Sequence, residues 1–495
     1  MVASTPTLVT FLLYFLAIIA VGLVGYRHTT DLSDYILGGR KLGSVVTALA
    51  AGASDMSGWL LMGLPGAIYL GGLSGAWIAI GLIIGAFLNW TYVAPRLRLF
   101  TEKYGNALTL PQYLTNRFAD KSNLLRIVSA VAILIFFTFY CSAGMVAGAR
   151  LFESIFGISY TVAIWIGAIA TISYVLIGGF FAVSWTDTIQ ATLMITALLI
   201  TPLVIMYANG GFTATMHAIT SIHPDHVNLF SHMTAISIIS MLGWGLGYFG
   251  QPHILVRFMA AKSAKNLPHA KRISMTWMIL CLSGAVSVGF FAVAYFSTHP
   301  AEGVAVTLNA EKVFIETAIH LFNPWIAGLL LSAILGAVMS TLSCHLLMCS
   351  SALTEDIYKT FLRKKASQPE LIWISRAMVL MISLIALFLA SNPTSGILAM
   401  VSYAWAGFGS AFGPVILLSL LWPRMTRNGA LAGILIGALT VLVWKNFAWF
   451  GLYEIVPGFA FGLIAIFIVS KLDAIPATSI DTQFRDANSE LKALI

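Results

Sequence analysis

Ser44-Val-Val-Thr-Ala-Leu-Ala-Ala-Gly-Ala-Ser-Asp-Met-Ser-Gly-Trp-Leu-Leu-Met-Gly-Leu-Pro-Gly-Ala-Ile-Tyr69 is apolar toward both ends. At about 1.5 Å per helical residue it is long enough to cross the ~30 Å hydrocarbon core of a bilayer. Its middle is different. Asp55 stands almost halfway along, with Gly52 and Gly58 on either side and Ser54 and Ser57 close by. An ionisable group at that depth is costly and needs a reason. Glycines and small hydroxyl residues in mid-helix point to unwinding, and the carbonyls a broken helix frees can coordinate a cation. The alternative is a small-residue packing face with Asp55 hydrogen-bonded to a neighbour.

The rest of the chain has the same character. Of its 495 residues 59% are hydrophobic and 9% charged, against about 25% charged in soluble domains. Thirteen apolar stretches can be drawn, near 7–26, 44–69, 74–95, 127–149, 160–181, 188–209, 233–256, 273–297, 324–352, 371–391, 395–421, 429–447 and 453–471. Leu8 to Tyr26 lacks the basic region and small-residue cleavage site of a signal peptide, so it reads as a retained first span. The connections are modest and leave no room for an inserted soluble domain. The chain therefore reads as one membrane domain, 1–472, followed by a polar, mobile tail at 473–495. Cys141, Cys281, Cys344 and Cys349 all fall inside apolar segments, without disulfide or zinc spacing.

The net charge of +8 raises the question of nucleic acid, and the placement of the basic residues answers it. Alternate connections collect nearly all of the 27 lysines and arginines, Arg27, Arg40, Arg98, Arg117, Arg257, Arg363 and Arg424 among them, and only Arg150, Lys312 and Lys445 fall on the other side. By the positive-inside rule the N-terminus is outside and the C-terminus cytoplasmic, which needs an odd number of spans. The basic balance is topology, with no nucleic-acid partner implied. No pattern here speaks to oligomeric state.

Two further segments carry chemistry. Gly336-Ala-Val-Met-Ser-Thr341 puts the Ser340 and Thr341 hydroxyls side by side in the middle of the ninth span. Sodium is hard and takes oxygen ligands, so hydroxyls with backbone carbonyls suit it; equally, such hydroxyls bond back to their own helix. Gly243-Trp-Gly-Leu-Gly-Tyr-Phe-Gly-Gln-Pro252 contains a G-x-G-x-x-G match with no strand before it, so it is no dinucleotide site. Its glycines and Pro252 instead break a helix, and Trp244 and Tyr248, four apart, share a face that could hold a small ring. A flexible, tightly packed helix is the other reading. Asp187 and Arg40 both fall near the expected cytoplasmic surface and could pair across the inner mouth. His217, His223 and His226 lack metal-site spacing, and His345 reads as a satisfied packing group.

Taken together, ASDMSGWLLMGLPGA at 53–67, GWGLGYFGQPHIL at 243–255 and SAILGAVMSTLS at 332–343 resemble the sodium:solute symporter family, as do DYILGGR at 34–40 and SYAWAGFGSAFGP at 402–414. The resemblance covers essentially the whole chain and is nearest to the bacterial branch that carries proline with sodium. It implies an all-α membrane protein with about 13 transmembrane helices in a leucine-transporter-like 5+5 inverted repeat. The extra N-terminal helix would be 7–26, the first repeat 44–209, the inverted repeat 233–421, and the two peripheral C-terminal helices 429–471. By the same resemblance sodium is held by Ala53, Met56, Ala337, Ser340 and Thr341, supported by Asp55. L-proline lies against Ser57, Gly58, Tyr140, Trp244, Tyr248 and Pro252, with Arg40 and Asp187 at the inner mouth. The resemblance implies no cofactor beyond sodium as coupling ion, and residence in the bacterial inner membrane.

Two other classes are weighed against transport. A channel needs a continuous polar pore, which scattered hydroxyls do not make. A membrane-embedded enzyme needs a nucleophile–base pair or metal cluster within the spans, and neither is legible. Another small amino acid or a carboxylate is the competing substrate.

Overall fold

The computed structural model describes residues 4–26, 31–391 and 396–494, apart from the side chains at 25, 26, 174, 177 and 178. Arg27, and Ser395 at the start of the 395–421 stretch, lie outside the described residues. Within them the chain is helix and connection, with one isolated parallel bridge between Leu42 and Ala261. Ten helices are long and apolar enough to cross a membrane; Tyr160–Ser173 and Ala235–Gly250 are apolar but shorter.

Both glycine-interrupted spans are broken. The first runs as a helix over Ser44–Asp55, leaves helical geometry at Met56 (φ −84°, ψ 80°), and resumes through a wide turn at Trp59–Gly63 into Leu64–Gly71. The second runs over Ala235–Leu242, tightens to 3-10 geometry over Gly243–Gly250, extends at Gln251, and restarts at Pro252–Ala260. Proline suits that first helical position, where its missing N–H would find no intrahelical partner. The end of the second broken span lies beside the start of the first. Leu42 N–H donates to Ala260 O at 3.2 Å, and Lys262 N–H donates to Leu42 O at 2.9 Å. Arg98 ties the same corner, donating from Nε to Ala261 O and from Nη2 to Lys262 O. This end of the molecule, with Arg40, Arg98 and Arg117, is its basic face.

The connection expected between 181 and 188 is not there. The helix Tyr160–Ala208 turns at Gly179 (φ 61°, ψ −176°), a conformation L side chains rarely adopt, and stays helical through the polar residues that follow. Ser184 and Thr186 satisfy their hydroxyls on the carbonyls of Phe180 and Ala182, one turn back. Polar residues read as a loop are thus a buried stretch of helix.

Small residues let backbones approach where the spans cross. A Cβ on Gly85 would stand 2.1 Å from the Gly245 carbonyl oxygen, so the Trp77–Leu88 helix and the second broken span meet backbone to backbone. The Pro324–Ser351 helix is at the centre, packed on the Leu124–Phe156, Tyr160–Ala208 and Thr5–Tyr26 helices.

The tail is not the mobile polar segment expected. Thr478–Leu494 is a helix whose Phe484, Ala487 and Leu491, spaced three and four apart, are buried. Phe484 packs edge-on against Phe100 at 5.5 Å, the Arg117 guanidinium lies 4.8 Å from its ring, and Glu490 pairs with Lys103 at 2.6 Å.

Candidate functional site

The site forms where the first broken span meets the Pro324–Ser351 helix. In a continuous helix the Ala53 carbonyl would accept from Ser57 N–H. Here Ser57 N–H donates to Asp55 O at 3.1 Å instead, which frees Ala53 O. The Ser340 hydroxyl donates to Ala53 O at 2.8 Å and to Ala337 O at 3.0 Å, and the Thr341 hydroxyl lies 3.4 Å from Ala53 O. Two carbonyl and two hydroxyl oxygens, from two helices, therefore cluster around Ser340 Oγ and Ala53 O. Each hydroxyl can turn its hydrogen away and offer a lone pair, which makes the group a hard, neutral oxygen cage of the kind sodium takes. Met56 is the residue at which the helix breaks.

Asp55 is next to this cage and 3% exposed. Its Oδ2 accepts from the Tyr248 hydroxyl at 2.5 Å, while Oδ1 has no hydrogen-bond partner among the described residues. A carboxylate thus sits one residue from the break and two from Ala53, where in its ionised form it favours a cation.

The second broken span supplies the aromatic wall. Trp405 Nε1–H donates to Trp244 O at 2.8 Å, and Gln251 donates to Trp405 O at 3.1 Å, so the glycine-rich turn is fastened to the Ile397–Leu421 helix. The Tyr248 ring stands edge-on to Trp405 at 5.2 Å, and Trp244 lies 6.4 Å from Trp59 and 5.5 Å from Tyr453. Tyr140, fully buried on the Leu124–Phe156 helix, brings its hydroxyl near Ser57 and Trp59. Gly58 is confined, since a Cβ there would lie 2.8 Å from Ala147 Cβ. Ser57, Gly58, Tyr140, Trp244, Tyr248 and Pro252 all stand at or beside the two breaks.

A cavity of about 690 Å³ leads from the face opposite the basic one down to Trp244. Gly66, Leu70, Leu398, Ser402 and Tyr453 line it, with the Arg150–Glu311 ion pair in its wall.

Arg40 and Asp187 are not brought together. Arg40 donates to Asn106 Oδ1, Thr101 Oγ1, Met259 O and Ala107 O, clamping the basic face. Burial, with Arg98 nearby, lowers its pKa to about 10, so it stays charged at neutral pH. Asp187 is fully buried rather than interfacial, and its partner is Arg257, whose Nη2 lies 2.6 Å from Asp187 Oδ2. Arg257 also donates to Ser184 Oγ and stacks on Phe180 at 4.5 Å. The charge pattern places Arg257 in a connection on the basic side, whereas it is fully buried on Pro252–Ala260. The signal for it was Asp187 itself, since a buried carboxylate in a membrane helix calls for a cation. His345 also departs from expectation, because its Nε2 has no partner among the described residues.

A family model described as the sodium:solute symporter family matches residues 35–437. The chain belongs to the sodium:solute symporter family. The chain is 62% identical to the sodium/proline symporter of Escherichia coli (strain K12), over 99% of this chain and 97% of that protein. The high-affinity proline transporter PutP of Bacillus subtilis (strain 168) is 52% identical over 94% of this chain and 98% of that one. Among solved structures, a Na+-coupled sialic acid symporter in a substrate-bound outward-open state superposes with a TM-score of 0.81, at 19% identity, over 96% of this chain and 99% of that one. The fold is accordingly the leucine-transporter-like, all-helical fold of sodium symporters. As a symporter of this family the chain is a transporter rather than an enzyme, a multi-pass inner-membrane protein with sodium as coupling ion.

Proposed function

We propose that this symporter imports L-proline with sodium by alternating access, through the two breaks described above. The observation that carries the reading is the convergence of Ala53 O, Ala337 O, Ser340 Oγ and Thr341 Oγ1 beside Asp55. Sodium is held there, with Met56 at the break as a further backbone oxygen donor and Asp55 acting through its charge. Proline then lies against Ser57, Gly58, Tyr140, Trp244 and Tyr248, with Pro252 shaping the second break. The relatives' names support proline as the solute.

One contact supports the coupling. The Asp55–Tyr248 bond ties the sodium-bearing break to the solute-bearing one, so an ion that settles Asp55 also settles the aromatic wall. The loaded carrier closes the cavity above Trp244 and opens on the basic face, taken as cytoplasmic. This reading keeps 13 spans with the N-terminus outside, repeats at 44–209 and 233–421, and a cytoplasmic tail. Arg40 and Asp187 act separately at the inner mouth: Arg40 clamps the corner at Met259, and Asp187 holds Arg257.

The driving force is sufficient. One charge moved through 100 mV gives ~2.3 kcal/mol, and a tenfold sodium gradient adds ~1.4 kcal/mol. Their sum supports roughly 500-fold accumulation of a zwitterion per sodium carried. The test is uptake of labelled L-proline into proteoliposomes, with an inward sodium gradient or with choline in its place. Sodium-dependent uptake competed by unlabelled proline is expected. Sodium-dependent uptake of another amino acid or a carboxylate, with none of proline, overturns the substrate. Uptake of proline without sodium overturns the coupling.

A further inference from the structure

His253 lies one residue past Pro252, on the half of the second broken span that runs to the basic face; His345 lies on the Pro324–Ser351 helix. Their rings meet edge to face at 4.6 Å. His345 is also stacked on Phe137 at 4.6 Å and tilted against Tyr140 at 4.2 Å, and Tyr140 meets His253 edge-on at 5.9 Å. All four side chains are at most 1% exposed. Three helices thus contribute to one closed ring cluster directly behind Tyr140.

The nitrogens are the anomaly. Neither nitrogen of His253, nor Nε2 of His345, has a hydrogen-bond partner among the described residues. Many buried hydroxyls elsewhere in the spans bond to the carbonyl one turn back, as Thr171 does to Gly167, Ser332 to Gly328 and Ser383 to Val379, although Ser129 and Thr201 do not. An unpartnered buried polar group costs stability, and a phenylalanine would fill much the same space without that cost. Stability of the closed form therefore does not account for the two imidazoles.

We propose that His253 and His345 are positioning residues of the solute pocket: their rings set the plane of Tyr140, and their unpaired nitrogens favour opening on the inner side. The inference rests on the reading that Tyr140 lines the solute pocket and that the carrier opens on the basic face. His253 is carried by Pro252–Ala260, so when that half-helix swings away His345 loses its edge contact and Tyr140 loses its backing. The solute is then held less tightly as the inner side opens. Water entering there satisfies the imidazole nitrogens, which lowers the open form relative to the closed one.

The test measures proline KM and Vmax in proteoliposomes for His345→Ala, His345→Phe, His253→Phe, Tyr140→Ala and the His345→Ala/Tyr140→Ala pair, with folding checked by size exclusion. His345→Ala removes the ring and is expected to raise KM about tenfold, the size of a lost aromatic pair, with sodium half-saturation nearly unchanged. The two phenylalanine variants keep the ring, so KM stays near wild type while Vmax falls several-fold. The His345→Ala and Tyr140→Ala effects on KM are expected to be far from additive, because one acts through the other. Additive effects, or wild-type KM in a folded His345→Ala protein, overturn the positioning role. Wild-type Vmax in both phenylalanine variants overturns the role of the nitrogens. Wild-type KM in Tyr140→Ala takes down the pocket reading and this inference with it, whereas a Tyr140 effect without coupling takes down this inference alone.

Discussion

The Tyr248 hydroxyl donates a 2.5 Å hydrogen bond to Oδ2 of Asp55, joining the two broken spans at their breaks. Both side chains are buried, and the second carboxylate oxygen of Asp55 has no hydrogen-bond partner among the described residues. One residue on the ion side and one on the solute side are thus held by a single contact.

Tyr248→Phe removes the donor and keeps the ring. A hydrogen bond to a charged group contributes about 1.5–3 kcal/mol, so solute KM and sodium half-saturation are both expected to rise about 10- to 100-fold. Initial rates of uptake at varied sodium and varied proline check this. A rise in solute KM alone would mean that Asp55 does not need the bond to serve sodium.

Arg257 and Asp187 form a fully buried ion pair at 2.6 Å. Removing Arg257 alone strands a buried carboxylate, at a cost of about 3–5 kcal/mol. Arg257→Met is expected to melt far below wild type in detergent, and Arg257→Met with Asp187→Leu to recover most of the loss. Thermal melts of the three proteins decide it.

Gly85 and Gly245 are in backbone contact, and a Cβ on Gly245 would stand 2.2 Å from the Gly81 carbonyl oxygen. Backbone cannot yield as a flexible side chain can. Gly245→Val is expected to lose the folded carrier, and Gly85→Ala to lower stability by about 1–3 kcal/mol or more through overpacking. Expression level and melting temperature are the readouts.

The tail helix is held chiefly by Phe484, packed between Phe100 and the Arg117 guanidinium. Phe484→Ala costs docking on the order of 3 kcal/mol, enough to free the helix. The tail is then expected to become sensitive to protease, while solute KM stays near wild type. Limited proteolysis followed by uptake measures both.

Much of this was legible in the sequence. Glycine, serine and an aspartate in the middle of an apolar run announced the break at Met56, because each is a poor choice for a continuous helix in lipid. The glycine run before Pro252 announced the second for the same reason. Gly179 was not legible as the turn, because it lies inside an apolar stretch, while Ser184, Thr186 and Asp187 looked like the connection. Ser184 and Thr186 bond back to their own helix while Asp187 pairs with Arg257 across the fold, and spacing does not reveal that all three are buried. The pairing of Asp187 with Arg257 rather than Arg40 is of the same kind, since both arginines lie near the basic face and only the fold chooses between them. The face of Phe484, Ala487 and Leu491 was present in the sequence but short and set in a polar segment.

The central claim is that sodium is held at the first break by Ala53 and Ala337 carbonyls with the Ser340 and Thr341 hydroxyls. It is tested most directly by titrating sodium against the binding of labelled proline to purified wild type, Ser340→Ala and Thr341→Val. The account predicts sodium half-saturation raised about tenfold or more in each variant, as expected for a lost oxygen ligand worth about 1.4 kcal/mol, with proline affinity at saturating sodium nearly unchanged. Wild-type sodium affinity in both folded variants would contradict it.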